Sequence, residues 1–236
     1  MSNVVRDIIN SMIRLIKKDN SYQLSPHLSL LDLLSISFIK AIHLIRGFIV
    51  QLISLKKPKV MFIASGVKLL NRRHLNVCGT LTIGRNVTID SLSSEGVKLG
   101  HNVNIPDGSF IRCTGVISEL GKGLTVGNNT GFGHYNFINA QGGVEIGDDV
   151  IMGPHVSILA ENHSFDNLDE PIRLQGVTRK GIVIESNVWI GANVTILDGI
   201  RIHSGSVIGA GSVVTKSIPA NSLAVGSPCK VIKTRE

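Results

Sequence analysis

His163 is the residue of this chain best suited to acid–base chemistry. It stands in Asn162-His163-Ser164-Phe165-Asp166, inside the polar stretch 159–183, which carries Pro171 and two glycines. An imidazole titrates near neutral pH, so it can take a proton from a hydroxyl and return it to a leaving group, which is worth about 10²–10⁴-fold in rate. A structureless stretch of this length in a compact domain usually carries function. A lone histidine in a polar loop is usually a solvated side chain. Cys78, Cys113 and Cys229 are far apart, odd in number and form no CxxC pair, so they read as buried, reduced thiols rather than a zinc site or a disulfide framework. His134 and His155 lack the close second histidine of a zinc site, so no metal is expected. The formal charge is +7, with clusters only near Lys56–Lys59 and in the C-terminal tail. No aromatic-plus-basic platform accompanies it, so anionic small molecules or a membrane surface fit better than nucleic acid.

The elements that would position His163 follow from a period of six. From Ile184 to Val214 every sixth residue is aliphatic: Ile184, Ile190, Ile196, Ile202, Ile208, Val214. Four places after each comes a second, smaller or aliphatic residue: Val188, Val194, Ile200, Ser206, Ser212, Ile218. Neither a helix nor a lone strand has this period. Short strands joined by tight corners do, each pointing one large aliphatic side chain into a shared interior, as in a parallel β-helix. The scarcity of aromatics, 4%, suits such an interior. The same beat, with IGxN or a variant at the corners, starts near Val60 in Ile83-Gly84-Arg85-Asn86 and recurs in Leu99-Gly100-His101-Asn102 and Val126-Gly127-Asn128-Asn129. Glycines and small residues are expected at corners with positive φ or close backbone approach. Breaks at 92–97, 114–124 and 139–144 predict bulged corners or short loops, and 159–183 a longer one. The tail, 219–236, reads as an extended segment returning along the coils.

Residues 1–59 are of another kind. Over 4–18 the spacing predicts an amphipathic helix with Val5, Ile8, Ile9, Met12, Ile13 and Ile16 on one face and Arg6, Asp7, Asn10, Arg14 and Lys17 opposite. Residues 28–55 are strongly apolar, with a narrow polar stripe that includes Asp32, Lys40, His43 and Gln51. No uninterrupted apolar run reaches the ~18–20 residues of a spanning helix, and a secretory signal would be shorter and N-terminal. This helix either lies in a membrane interface, with Lys56, Lys57 and Lys59 near anionic head groups, or caps the neighbouring domain or another subunit. Lys56-Lys57-Pro58-Lys59 reads as a hinge.

The stretches NHSFDN, VWIGANVTILDG and VIGAGSVVTKSIPANSLAVGSPCKVI, in that order, resemble the hexapeptide-repeat acyltransferases, in particular the maltose, galactoside and polysaccharide O-acetyltransferases. The resemblance covers residues 60–236. It implies an all-β solenoid, a left-handed parallel β-helix here with an N-terminal helical extension, assembled as a homotrimer with active sites between subunits. It implies acetyl-CoA as co-substrate and a carbohydrate acceptor. His163 matches the catalytic loop histidine, and Ala192 a position whose backbone N–H faces the thioester carbonyl. Trp189 matches a residue walling the acceptor site, and Asn136 or Asn139 the acceptor-binding asparagine. Ala210 and Gly211 match the contacts to the pantetheine arm, and Thr215, Lys216, Lys230 and Lys233 the nucleotide end. Relatives often carry Arg at the last two, so Lys here implies less bidentate phosphate binding.

The expected activity is direct acetyl transfer to a sugar hydroxyl, in bacterial surface polysaccharide synthesis, by a cytoplasmic protein in peripheral contact with the inner membrane. A small-molecule acetyltransferase and a non-catalytic trimeric scaffold stand beside it.

Overall fold

The structure is a computed structural model that describes residues 2–54 and 58–236. Lys56 and Lys57 of the expected hinge lie outside the described residues. From Met61 onward the chain winds as a parallel β-helix with three faces. The first face comprises Met61–Ile63, Leu81–Ile83 and Val103–Ile105, bridged through Gly131 to Ile151–Met152, Trp189–Ile190, Val207–Ile208 and Ser222–Val225. The second holds seven strands, Lys68–Leu70, Thr88–Asp90, Phe110–Arg112, Phe137–Asn139, Ser157–Leu159, Thr195–Leu197 and Val213–Val214. The third holds six, Leu75–Val77, Val97–Leu99, Leu124–Val126, Val144–Ile146, Ile182–Ile184 and Arg201–Ile202.

Parallel in-register pairing places like residues above one another. On the second face Ile89, Ile111, Ile138, Ile158, Ile196 and Val214 form one buried column. Each coil is too thin to bury these side chains alone, and its neighbours complete the core. The second residue of each hexad is also interior: Val188, Val194, Ile200, Ser206, Ser212 and Ile218 are all buried. The two serines can be there because each hydroxyl donates to a backbone carbonyl, Ser206 to Pro219 and Ser212 to Gly209.

The corners divide the work between two residues. In IGxN it is the Asn, not the Gly, that takes positive φ: Asn86, Asn102, Asn129 and Asn193 have φ between 53° and 57°. The glycine is needed for close approach, since a Cβ on Gly191 would lie 2.6 Å from the amide nitrogen of Ala210 in the next coil. At the corner between the third and first faces, side chains run as ladders up the stack. Asn128 Oδ1 accepts the His101 N–H, Asp148 Oδ1 the Asn128 N–H, and Ser186 Oγ the Asp148 N–H. Asn102 donates to Asn129, which donates to Asp149, each at 3.1 Å.

All the breaks in the six-residue beat fall at one corner, between the second and third faces: 91–96, 113–123, 140–143 and 160–181. The other two corners stay tight, so insertions collect along one edge of the prism. The tail differs from expectation. Lys230–Thr234 turns back antiparallel on Ser222–Val225 and closes the edge of the first face at the last coil, instead of returning along the coils. Cys113 and Cys229 are buried as expected, but Cys78 is exposed, because it sits at a corner where the chain leaves the third face.

Two helices precede the coils, α1 (Ser2–Lys17) and α2 (Leu30–Ser54). Ser29 and Asp32 start α2 with a reciprocal cap: Ser29 Oγ accepts the Asp32 N–H at 3.1 Å and Asp32 Oδ2 the Ser29 N–H at 2.9 Å. α2 packs on the first strand and caps the open end of the prism. It touches the coil through Gly47, where a Cβ would overlap the carbonyl of Met61. The expectation that nothing here is long enough to span a bilayer does not hold: residues 30–52 form one helix long and apolar enough to do so by length and composition. Its polar residues interrupt the apolar runs in sequence, but on the helix they gather on one side.

Candidate active site

The long loop is an anchored hairpin. Asn162–His163 pairs antiparallel with Val177–Thr178, with His163 opposite Val177. Two carboxylates hold its base. Glu161 receives Arg179 Nε at 2.7 Å, each side chain only 16% exposed, and Arg179 Nη1 also reaches Glu119 Oε1 at 3.3 Å in the neighbouring loop. The buried carboxylate of Asp198 accepts the backbone N–H groups of Lys180 (2.9 Å) and Gly181 (2.8 Å). Inside the loop, Gln175 donates to the carbonyls of Asn167 and Glu170 at 2.7 and 2.6 Å. His163 is therefore carried on a built element, although it lies exposed. Among the described residues its imidazole has no hydrogen-bond or ion-pair partner. Asn162, Ser164, Phe165, Asp166 and Thr178 surround it in an open hollow of about 510 Å³.

Ala192 sits at a different corner. It follows Trp189–Ile190 of the first face and precedes Thr195–Leu197 of the second, with Pro154 below it and Ala210 above in register. At this height none of the three has a side chain that can accept from the coil beneath, unlike the sealed corner of His101, Asn128, Asp148 and Ser186. Among the described residues no acceptor takes the Ala192 N–H, and Ala192 is half-buried. Trp189 is exposed on the outer surface of the first face, between Ile151 and Val207.

The two acceptor-binding candidates separate. Asn136 is 1% exposed, and its Oδ1 accepts the Val156 N–H at 2.9 Å while its Nδ2 has no partner. It is an interior residue, not one that faces an acceptor, because it falls four places after Phe132 in the beat that buries Val188 and Ser206. Asn139 lies half-buried on the second face, its Oδ1 accepting the Gln141 N–H at 3.0 Å. Ala210, Gly211, Thr215 and Lys216 are exposed around the last coil, and Lys230 and Lys233 on the closing strand beside it, so the six nucleotide and pantetheine candidates share one end of the prism.

Within one chain His163 and Ala192 do not meet. The hairpin that carries His163 follows the end of Ser157–Leu159, Ala192 precedes the start of Thr195–Leu197, and Ala192 is not among the residues around the hollow at His163. Arg179, Glu161 and Asp198 were not singled out from the sequence. Opposite charges at the two ends of a loop, Glu161 and Arg179, were the signal available.

Residues 181–216 match the family described as bacterial transferase hexapeptide (six repeats). A probable acetyltransferase of Mycobacterium tuberculosis is 34% identical over 164 residues, covering 69% of this chain and 53% of that one. The galactoside O-acetyltransferase of Lactococcus lactis is 46% identical over 87 residues, covering 36% and 41%. The chain thus spans about half the length of the curated relatives it matches. Among solved structures, a mutant of AntD, an N-acyltransferase from Bacillus cereus in complex with dTDP and coenzyme A, superimposes with a TM-score of 0.51 at 24% identity over 65% of this chain and 84% of that one. The shared fold is the left-handed parallel β-helix.

Proposed function

We propose that this chain, a member of the hexapeptide-repeat transferase family, is an acetyl-CoA-dependent O-acetyltransferase acting on a sugar hydroxyl. The acceptor in this reading belongs to a bacterial surface polysaccharide or its lipid-linked precursor, on the cytoplasmic side. The observation that carries the reading is His163, an unpartnered imidazole exposed on a hairpin whose base is fixed by Glu161, Arg179 and Asp198. The galactoside O-acetyltransferase relative supports a sugar acceptor.

In this mechanism His163 accepts the proton of the acceptor hydroxyl as its oxygen attacks the thioester carbonyl. The oxygen that becomes negative is met by the unclaimed N–H of Ala192, a fixed backbone dipole aimed at developing charge. Collapse breaks the C–S bond, and the departing thiolate takes the proton back from His163. No covalent intermediate on the protein is required. Ala210 and Gly211 line the path of the pantetheine arm. Thr215, Lys216, Lys230 and Lys233 meet the nucleotide phosphates, the lysines as point charges. Asn139 and Trp189 remain for the acceptor.

Because His163 and Ala192 lie at opposite ends of the second face, the site is completed by a neighbouring copy, three about one axis. The exposed apolar residues Ile151 and Trp189 on the first face, and Phe165 and Leu168 on the loop, support such contacts. The test is acetyl-CoA-dependent thiol release over a panel of sugars and glycan fragments, for the natural protein and His163→Ala. Acceptor-dependent release that falls at least about a hundredfold in the variant supports the reading. Equal slow rates in both would move the chain to a non-catalytic scaffold.

A further inference from the structure

The N-terminal helices leave wide apolar stripes uncovered. On α1 part of the polar side faces the protein, beside half-buried Val5, Ile9 and Ile13: Arg6 donates to the carbonyls of Ser25, Pro26 and Leu28, Arg14 Nε to that of Tyr22 at 2.8 Å, and Asn10 Oδ1 accepts the Leu24 N–H at 2.8 Å. The segment after the helix thus covers part of its polar side. Val4, Ile8, Met12 and Leu15, one stripe at helical spacing, stand exposed. α2 also leaves a stripe uncovered. Three of its polar residues turn to the coil: Gln51 bonds both ways with the backbone of Lys59, Lys40 Nζ lies 5.4 Å above the Phe62 ring, and His43 is half-buried. Leu31, Leu34, Phe38, Ile45, Phe48 and Leu52 are exposed, each by more than half.

Charge says what covers this face. Residues 1–59 contain nine lysines and arginines and three aspartates, a formal +6 of the chain's +7, while the remaining 177 residues are nearly neutral. A wide apolar face set in a concentrated positive field matches a surface that is apolar beneath and negative above. A second copy of the same element would bring +6 against +6. Spanning is opposed by packing: the side of α2 carrying Gly47 and Gln51 is fixed against the first coil, so lipid cannot surround it. We propose that α1 and α2 form a docking face for an anionic lipid bilayer, lying flat with Ile8, Met12, Phe38 and Phe48 in the interface, so that the prism stands with its first coil at the membrane.

The test uses the full chain, without any activity measurement. It is floated with vesicles of phosphatidylcholine alone and of phosphatidylcholine with phosphatidylglycerol, at low and high salt. The expected result is binding to the anionic vesicles, weakened by salt by about fivefold for each basic residue screened. The pair Ile8→Glu and Met12→Glu, both exposed and so tolerated by the fold, and separately Phe38→Glu with Phe48→Glu, should each reduce binding at least about tenfold. Lys17→Glu with Lys18→Glu should abolish the preference for anionic lipid. Equal binding of both vesicle types, unchanged binding in the glutamate pairs, retention on the vesicles after alkaline carbonate extraction as for a spanning helix, or glutamate pairs that change the oligomeric state while leaving vesicle binding intact would each overturn the proposal.

Discussion

Arg179→Leu should disable the loop without unfolding the prism. The Arg179 side chain is 16% exposed and bonded to Glu161 at 2.7 Å and Glu119 at 3.3 Å; its Nη1 also donates to the Glu119 carbonyl at 3.4 Å. It ties loop 113–123 to the base of the hairpin two residues from His163. Breaking a buried pair by removing one partner costs about 3–5 kcal/mol. Both Glu161 and Arg179 keep some solvent contact, which places the cost nearer the value of a charge-assisted hydrogen bond, about 1.5–3 kcal/mol. The cost falls on the hairpin, because neither residue belongs to the aliphatic columns of the core. If half of it, about 0.75–1.5 kcal/mol, appears as misplacement of His163, kcat drops about 3- to 13-fold. KM for acetyl-CoA should change less, since Ala210, Lys216 and Lys230 lie outside the hairpin, around the last coil and its closing strand. Steady-state thiol release gives the kinetic split, hydrogen exchange over 160–181 the loop opening, and thermal unfolding the global stability. Removing Glu161 as well, in Arg179→Leu with Glu161→Leu, should recover part of the loss by eliminating the orphaned carboxylate. Unchanged kcat and exchange in Arg179→Leu, or a kinetic loss matched by an equal drop in melting temperature, would refute the positioning argument.

Three further outcomes follow from the corners and the core. Ala192→Pro deletes one N–H at a position where the coil below already carries Pro154, so the fold should persist while kcat falls about 10²–10³-fold in the same thiol-release assay. Asn129→Ala puts a Cβ-bearing residue without side-chain hydrogen bonds at φ 53° and breaks the ladder to Asn102 and Asp149, so thermal unfolding should register a loss of about 1–3 kcal/mol, and Asn129→Gly a smaller one. Burial, reinforced by the charge of Asp90, pushes the Cys113 thiol from 9.0 up to about 12. Below pH 9 both folded and unfolded states keep it protonated, so it adds no pH dependence there; as pH climbs towards 12 only the unfolded state ionises and stability is lost. A thiol reagent near neutral pH should therefore label exposed Cys78 in the native protein and Cys113 only in denaturant.

The prism was legible because a period of six constrains every residue it touches. Ile184 through Val214, and their partners four places on, are interior as spaced. The same rule would have placed Asn136 inside, four after Phe132; the family pattern drew it to the acceptor instead. The sequence breaks were visible one by one, but that they share an edge follows only from counting strands per coil. Which apolar stripes of α1 and α2 stay uncovered was hidden because amphipathic spacing is blind to which side meets the protein. That choice was made by the carbonyls of residues 22–28, which Arg6 and Arg14 satisfy, and by Gly47 against Met61. His163 and Ala192 were singled out by the family resemblance, but that they flank opposite ends of the second face appears only in three dimensions.

The central claim, a site shared between copies with His163 from one and the Ala192 corner from the next, is tested most directly by mixing. His163→Ala and Ala192→Pro chains, each nearly inactive alone, are denatured together, refolded and assayed for acceptor-dependent thiol release. In a closed ring with head-to-tail contacts, random mixing leaves about a quarter of the interfaces with both groups intact, so about a quarter of the natural activity should return. A mixture no more active than its two components would contradict the account.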